Sequence, residues 1–269
     1  MTVRTSFLRT LGFVFALVAG ASSSWASPNT AAKAFIATLS DEERRLALTS
    51  FDDSDRTEWR LTPGSRGGLS MGRMDRATLN ATMGLLATVL SKKGLELVSE
   101  IRKREAALDE LEGGSGYRDP NKYYLALFGT PGAQQWGLRF EGHHLTFNIS
   151  LSGDKIVSVL PYSFGSNPDR MPDSGKRLVT DILKRAAATV KTGSNGISRL
   201  LENLLDVFPT GIAAQTAKAL RPKLAAGTAK GEDGEYEIEG RGASISTVVQ
   251  GENHYHIEVS DRSLDFAGR

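Results

Sequence analysis

All four histidines of the chain fall into two tight pairs. His143 and His144 are adjacent in the run RFEGHHLTFN, from Arg139 to Asn148, and His254 and His256 flank Tyr255 near the C-terminus. A neutral imidazole offers a lone pair at working pH, which makes histidine the commonest metal ligand. In an extended strand alternate residues share a face, so His254 and His256 present two nitrogens on one side. His143 and His144 face opposite sides of a regular strand, unless Gly142 introduces a bulge that turns both inward. His143 shares its face with Glu141 and Arg139. His254, His256 and one or both of His143 and His144, with a Glu141 oxygen, would suit zinc, copper or iron. Without a metal the same groups form an acid–base cluster, with Glu141 as general base. The plain alternative is a set of structural histidines that bond backbone carbonyls across a sheet.

Other residues carry weaker signals. Arg118 and Arg139 are candidates for bidentate contact with a substrate carboxylate or phosphate, or for pairing with an acid such as Glu141. Asp119 precedes a proline and reads as a turn residue. Asp52, Asp53 and Asp55 make an acidic patch whose spacing does not guarantee the ordered oxygens that calcium needs. Trp59, Trp136, Tyr123 and Tyr124 suit a sugar-binding groove or a core. No zincin or phosphate-loop motif occurs, so zincin and nucleotide-enzyme readings lack support.

Composition narrows the setting. The chain has 269 residues, with 33 Lys and Arg against 31 Asp and Glu, a net charge of +2. These charges are interspersed, which argues against a nucleic-acid partner. Cysteine is absent, so thiolate ligands, cysteine nucleophiles and disulfides are excluded. Arg4 and Arg9, the apolar stretch Leu11–Ala19 and the small-residue pattern ending at Ala26 read as an export signal spanning 1–26. That stretch is shorter than the roughly 20 residues of a permanent membrane span. The expectation is a periplasmic or secreted protein without a stable membrane anchor, folded as one domain over 27–269.

The elements that must position the histidines follow from periodicity. Helical spacing covers 28–50, with a new start at Ser40, where Ser40 and Glu43 form a capping box. A longer helix is expected from about Met74 to Lys93, stopped by Gly94 as a C-cap, and another from Leu95 to Leu111. Strand patterns cover Tyr123–Phe128, Gln135–Ser150 and Ile156–Leu160, and a loop covers Gly165–Gly175. Helical patterns return over 176–191, 197–207 and 211–220. Three strands close the chain over 235–239, 244–250 and 254–259. Helices and strands in separate blocks imply an α+β fold: N-terminal helices, a mainly antiparallel sheet and a second helical block.

The runs RDPNKYYLALFGTP (118–131) and WGLRFEGHHLTFN (136–148) resemble the bacterial exported family catalogued as domain of unknown function 3500. The likeness extends to FDDSDRTEWRLTP (51–63), to GSNP (165–168), and to NHYH (253–256) followed by DRSLDFA (261–267). Leu138 departs from the family's usual tryptophan in W-G-W-R. The resemblance implies no reaction or substrate. It implies that His143, His144, His254 and His256 match the family's histidine motifs. The functional expectation is therefore a paired-histidine pocket in an exported protein, serving a transition-metal-dependent hydrolase or oxidoreductase. The alternative is a non-enzymatic module that binds metal or glycan. The expected partner is a small molecule or glycan.

Overall fold

The structure is a computed structural model that describes residues 26–192, 194–233, 235–251 and 253–267. Residues 1–25 of the expected export segment lie outside the described residues. Among the described residues no helix is long and apolar enough to cross a membrane.

The architecture is α+β, with seven α-helices and an 11-stranded, mostly antiparallel sheet among the described residues. Helix α1 (Pro28–Thr38) begins with proline behind the Ser27 cap, whose hydroxyl accepts from the Thr30 amide. Proline there loses only an amide that the helix start leaves unbonded. Helix α2 (Asp41–Ala47) carries the expected capping box of Ser40 and Glu43. It ends before Ser50, because Leu48–Thr49 forms a short strand, β1, parallel to β3 (Tyr123–Phe128).

Helix α3 (Arg76–Val89) starts on Asp75, and α4 (Lys92–Leu111) starts on Ser91. Gly94 was expected to end the earlier helix. It lies instead in the first turn of α4, where its amide donates to the Ser91 hydroxyl. A Cβ at Gly94 would meet the Val207 carbonyl at 2.2 Å, so close approach explains the glycine. Along α4 the buried positions Leu97, Ile101, Glu105 and Leu108 recur at helical spacing.

Strand β2 (Leu69–Ser70) adds to β3 (Tyr123–Phe128). The expected extended run Gln135–Ser150 is two strands, β4 (Trp136–Gly142) and β5 (Leu145–Ser152), paired with Gly142 opposite Leu145. Strand β6 (Lys155–Ser158) follows. Strand β7 (Tyr162–Ser166) occupies part of the region expected to be a loop.

Helices α5 (Thr180–Thr192), α6 (Ser194–Leu205) and α7 (Thr210–Ala225) form the second helical block. The chain closes with β8 (Thr228–Glu232), which has mostly exposed residues and no strand-like pattern, then β9 (Glu235–Gly240), β10 (Ala243–Val249) and β11 (Tyr255–Asp261). The sheet order is β1-β3-β4-β5-β7-β11-β10-β9-β8, with β2 on β3 and β6 on β5. Strand β7 therefore lies between β5 and β11, and brings the two histidine segments to neighbouring positions.

Candidate metal centre

The Gly142–Leu145 pairing leaves His143 and His144 as a two-residue hairpin turn, so neither sits in a regular strand. This replaces the expected bulge. Gly142 instead closes β4 beneath the Tyr123 ring, which a Cβ would meet at 2.4 Å. His144 adopts a left-handed backbone conformation, φ 62°. A non-glycine residue pays roughly 1–2 kcal/mol to hold that conformation. Three hydrogen bonds hold the turn: the His144 amide donates to the Leu61 carbonyl at 3.1 Å, the Gly165 amide to the His144 carbonyl at 2.8 Å, and the Tyr123 hydroxyl to the His143 carbonyl at 2.8 Å.

Gly165 pairs with His256 across β7 and β11, and with His144 on its other side. A Cβ at Gly165 would lie 2.6 Å from His256 Cδ2 and 2.8 Å from His144 Cδ2. The missing side chain lets the two imidazoles approach each other over the middle strand. His144 Nε2 lies 2.8 Å from His254 Nε2, which lies 3.0 Å from His256 Nε2. The His143 ring stacks on His144 with centroids 3.6 Å apart. Its Nδ1 lies 2.5 Å from Glu105 Oε2 on α4. Two groups of ligand atoms thus share His144: His144, His254 and His256, and Glu105, His143 and His144. Within each, the atoms lie within 4.8 Å of one another.

Electrostatics favour neutral rings in the triad. Burial first, then the charges of His143, His256, His254 and Arg118, pushes His144 well below the usual imidazole range. Burial and its imidazole neighbours bring His254 to about 4. Burial, followed by the charge of His143, lowers His256. Neutral imidazoles keep the lone pairs that a cation requires. Beside His143 and Glu105 is a cavity of about 80 Å³, bordered also by Arg66, Tyr117 and Lys122. That space is large enough to admit water.

Two expected site residues stand elsewhere. Glu141 was expected at the histidines, but one of its oxygens lies 2.7 Å from Arg139 Nε and the other 3.4 Å from Arg66 Nε. Burial raises its carboxyl pKa, and Arg139 and Arg66 oppose that rise. Arg139, expected to bind substrate, is 1% exposed and holds the 51–63 segment. It donates to the Asp55 and Glu58 carbonyls and pairs with the Asp55 carboxylate at 2.6 Å. Arg118 grips Glu112 through two contacts of 2.7 and 3.0 Å, close enough for its charge to act on His144 and His254.

The acidic patch is local architecture. Asp53 accepts from the Asp55 amide and the Thr49 hydroxyl, while Asp55 pairs with Arg139. Trp136 and Tyr123 are buried core residues rather than the walls of a sugar groove. Glu105 carries no motif that marks it in the sequence. Its signal is a carboxylate at a position that helical spacing assigns to the apolar face of α4.

A family-wide match, described as protein of unknown function (DUF3500), covers residues 22–194. The chain belongs to the DUF3500 family. The matched residues include His143, His144, Glu105 and Gly165 but stop before His254 and His256, so the closing NHYH likeness lies outside the DUF3500 match. No curated protein and no solved structure matches the chain.

Proposed function

We propose that the protein binds a transition-metal ion through Nε2 of His144, His254 and His256 and supports metal-dependent hydrolytic or redox chemistry there. The observation that carries this reading is His254 Nε2, which faces two other imidazole nitrogens at 2.8 and 3.0 Å. A neutral imidazole nitrogen has either one N–H or one lone pair, so it forms one good hydrogen bond. Two such neighbours are poorly served by protons and well served by a shared cation. Two metal–nitrogen bonds of roughly 2.0–2.1 Å at a right angle place the nitrogens about 2.9 Å apart, and a tetrahedral angle places them about 3.3 Å apart. The two short separations fit near-right-angle ligation, which leaves coordination positions for water or substrate.

Zinc, copper and iron all accept such nitrogen ligands. When bound, the ion would lower the pKa of a coordinated water or, if redox-active, engage dioxygen. Glu105, rather than Glu141, is the carboxylate at the imidazoles. It holds His143 through Nδ1, which leaves the other ring nitrogen to exchange a proton beside the small cavity. Export to the periplasm or outside the cell fits this reading, as does a small-molecule partner. The second reading is metal binding without turnover, favoured by the small size of the cavity beside His143, about 80 Å³.

Untagged protein purified from its own compartment should contain close to one equivalent of a transition metal by elemental analysis. After chelation it should retain one of zinc, copper, iron or manganese stoichiometrically. Substoichiometric native metal together with no retention of any of the four ions would end the metal reading. If metal is retained, coordinated water that exchanges readily supports the enzyme, and a closed coordination shell supports storage.

A further inference from the structure

On the opposite face of the sheet, β7 lines a second cavity. Tyr162 and Phe164 alternate with Gly165, so their side chains point away from the imidazoles. The cavity measures about 240 Å³ and lies between β7, α4 and the second helical block. Leu97, Phe164, Leu178, Ile182 and Val207 supply apolar wall. Tyr162 lines it while being only 1% exposed, and its hydroxyl has no hydrogen-bond partner among the described residues. A buried hydroxyl without a partner is costly, so this phenol is a donor prepared for an acceptor from outside the chain. Four of the five charged lining residues form close pairs: Lys93 with Asp206 at 2.6 Å, and Lys176 with Glu100 at 3.3 Å. A charged ligand would break those pairs, whereas a neutral one need not.

We infer that this cavity binds a neutral aromatic molecule of one or two rings whose carbonyl or ether oxygen accepts a hydrogen bond from Tyr162. Size supports the class, since an apolar cavity of about 150 Å³ accommodates benzene. Ring geometry supports it too. Tyr162 stacks between Phe147, at 5.3 Å and 4°, and Phe164, at 5.5 Å and 22°. Phe164 lines the cavity at the end of that row and gives a flat guest a ring to pack against. The inference does not rest on the metal reading, because none of these residues touches the imidazoles.

The test is calorimetric titration of the full chain with 2-acetylnaphthalene and with 2-ethylnaphthalene, which has the same ring system without the carbonyl. The acetyl compound should bind saturably at one site. Tyr162→Phe should weaken it about tenfold, the worth of one well-placed hydrogen bond at a desolvated site, and leave the ethyl compound unchanged. Leu178→Trp, at a half-buried wall position, should abolish binding of both by filling the space. Thermal melts check that both variants remain folded. No saturable binding of the acetyl compound means that water alone serves Tyr162, and overturns the inference. Binding unaffected by both Tyr162→Phe and Leu178→Trp places the compound elsewhere and overturns it equally.

Discussion

His254 and His256 are half-buried side chains at a polar edge, whereas Ile257 beside them is 1% exposed in the core. Removing either imidazole leaves little cavity, while removing most of a buried isoleucine typically costs about 2–5 kcal/mol. His254→Ala and His256→Ala should each lose bound metal while keeping their melting temperature in chelator. Ile257→Ala should melt clearly earlier. Thermal melts in chelating buffer decide the matter. If the histidine variants unfold as readily as Ile257→Ala, the imidazoles are structural and the site reading is wrong. At His144 the left-handed φ argues for asparagine as the replacement, since asparagine tolerates that conformation better than alanine. The two glutamates should separate cleanly. Glu141→Ala strips a buried partner from Arg139 and Arg66 and should cost about 3–5 kcal/mol with metal content preserved. Glu105→Gln should leave metal bound but alter the pH profile of any activity, because it changes the group that holds His143.

At the scale of elements, β7 is the spacer that makes the site. Its neighbours β5 and β11 bring His144 and His256 to either side of Gly165. Gly165→Ala would thrust a methyl group to 2.6 Å from His256 Cδ2 and from the Tyr255 carbonyl, and to 2.8 Å from His144 Cδ2. We expect metal affinity to fall by roughly 10–100-fold, as for changes in groups that orient metal ligands. Competition against a fluorescent chelator measures it, and unchanged affinity would remove β7 from the account. Gly84 is the control. It lies inside α3, and beyond the helix's own nearby backbone no atom of the described residues comes within 4 Å of an added Cβ, so Gly84→Ala should be neutral or stabilising by about 0.5–1 kcal/mol.

For the whole molecule, acid stability should draw on Glu100, which ties α4 to the segment before α5. Burial pulls its carboxyl upward, but hydrogen bonds from Arg104, Lys103 and Lys176 outweigh this and hold it at about 2. The folded pKa is below the unfolded one, so the folded state gains stability from Glu100 at pH above the ordinary carboxyl range. That gain fades as pH falls from about 4.5 toward 2. Glu100→Gln should therefore lower stability at neutral pH and flatten the decline over that interval, as read from urea midpoints at successive pH values. A parallel decline in both proteins would show that other carboxyls control acid unfolding. Metal should act globally as well. An ion that binds only the folded chain adds about 2.7 kcal/mol at a free concentration a hundred times its dissociation constant.

Local pattern in the chain determined the elements that carry strong periodicity or caps. The α+β class, the Ser40 capping box and the Tyr123–Phe128 strand all follow from short-range chemistry. The pairing of the histidines was visible too, since residue type and spacing need no partner to be read. Local pattern failed where a distant atom decides. Gly94 serves the Val207 carbonyl rather than a helix end. Strand β8 is largely exposed and gains its order from pairing with β9. His143 and His144 turn a hairpin because β4 and β5 pair in one register, and that pairing is a tertiary choice. The same holds for the carboxylates. Parity along one strand pointed to Glu141, but a buried carboxylate goes where the nearest buried cation compensates its charge, and Arg139 is beside it. Glu105 reaches His143 across a gap of 38 residues in sequence, because α4 lays its buried face against the hairpin turn. Sequence alone marked the histidines as side chains that could do chemistry. Sheet order and helix packing decided which of them meet, because contacts between distant segments depend on long-range burial that no local spacing records.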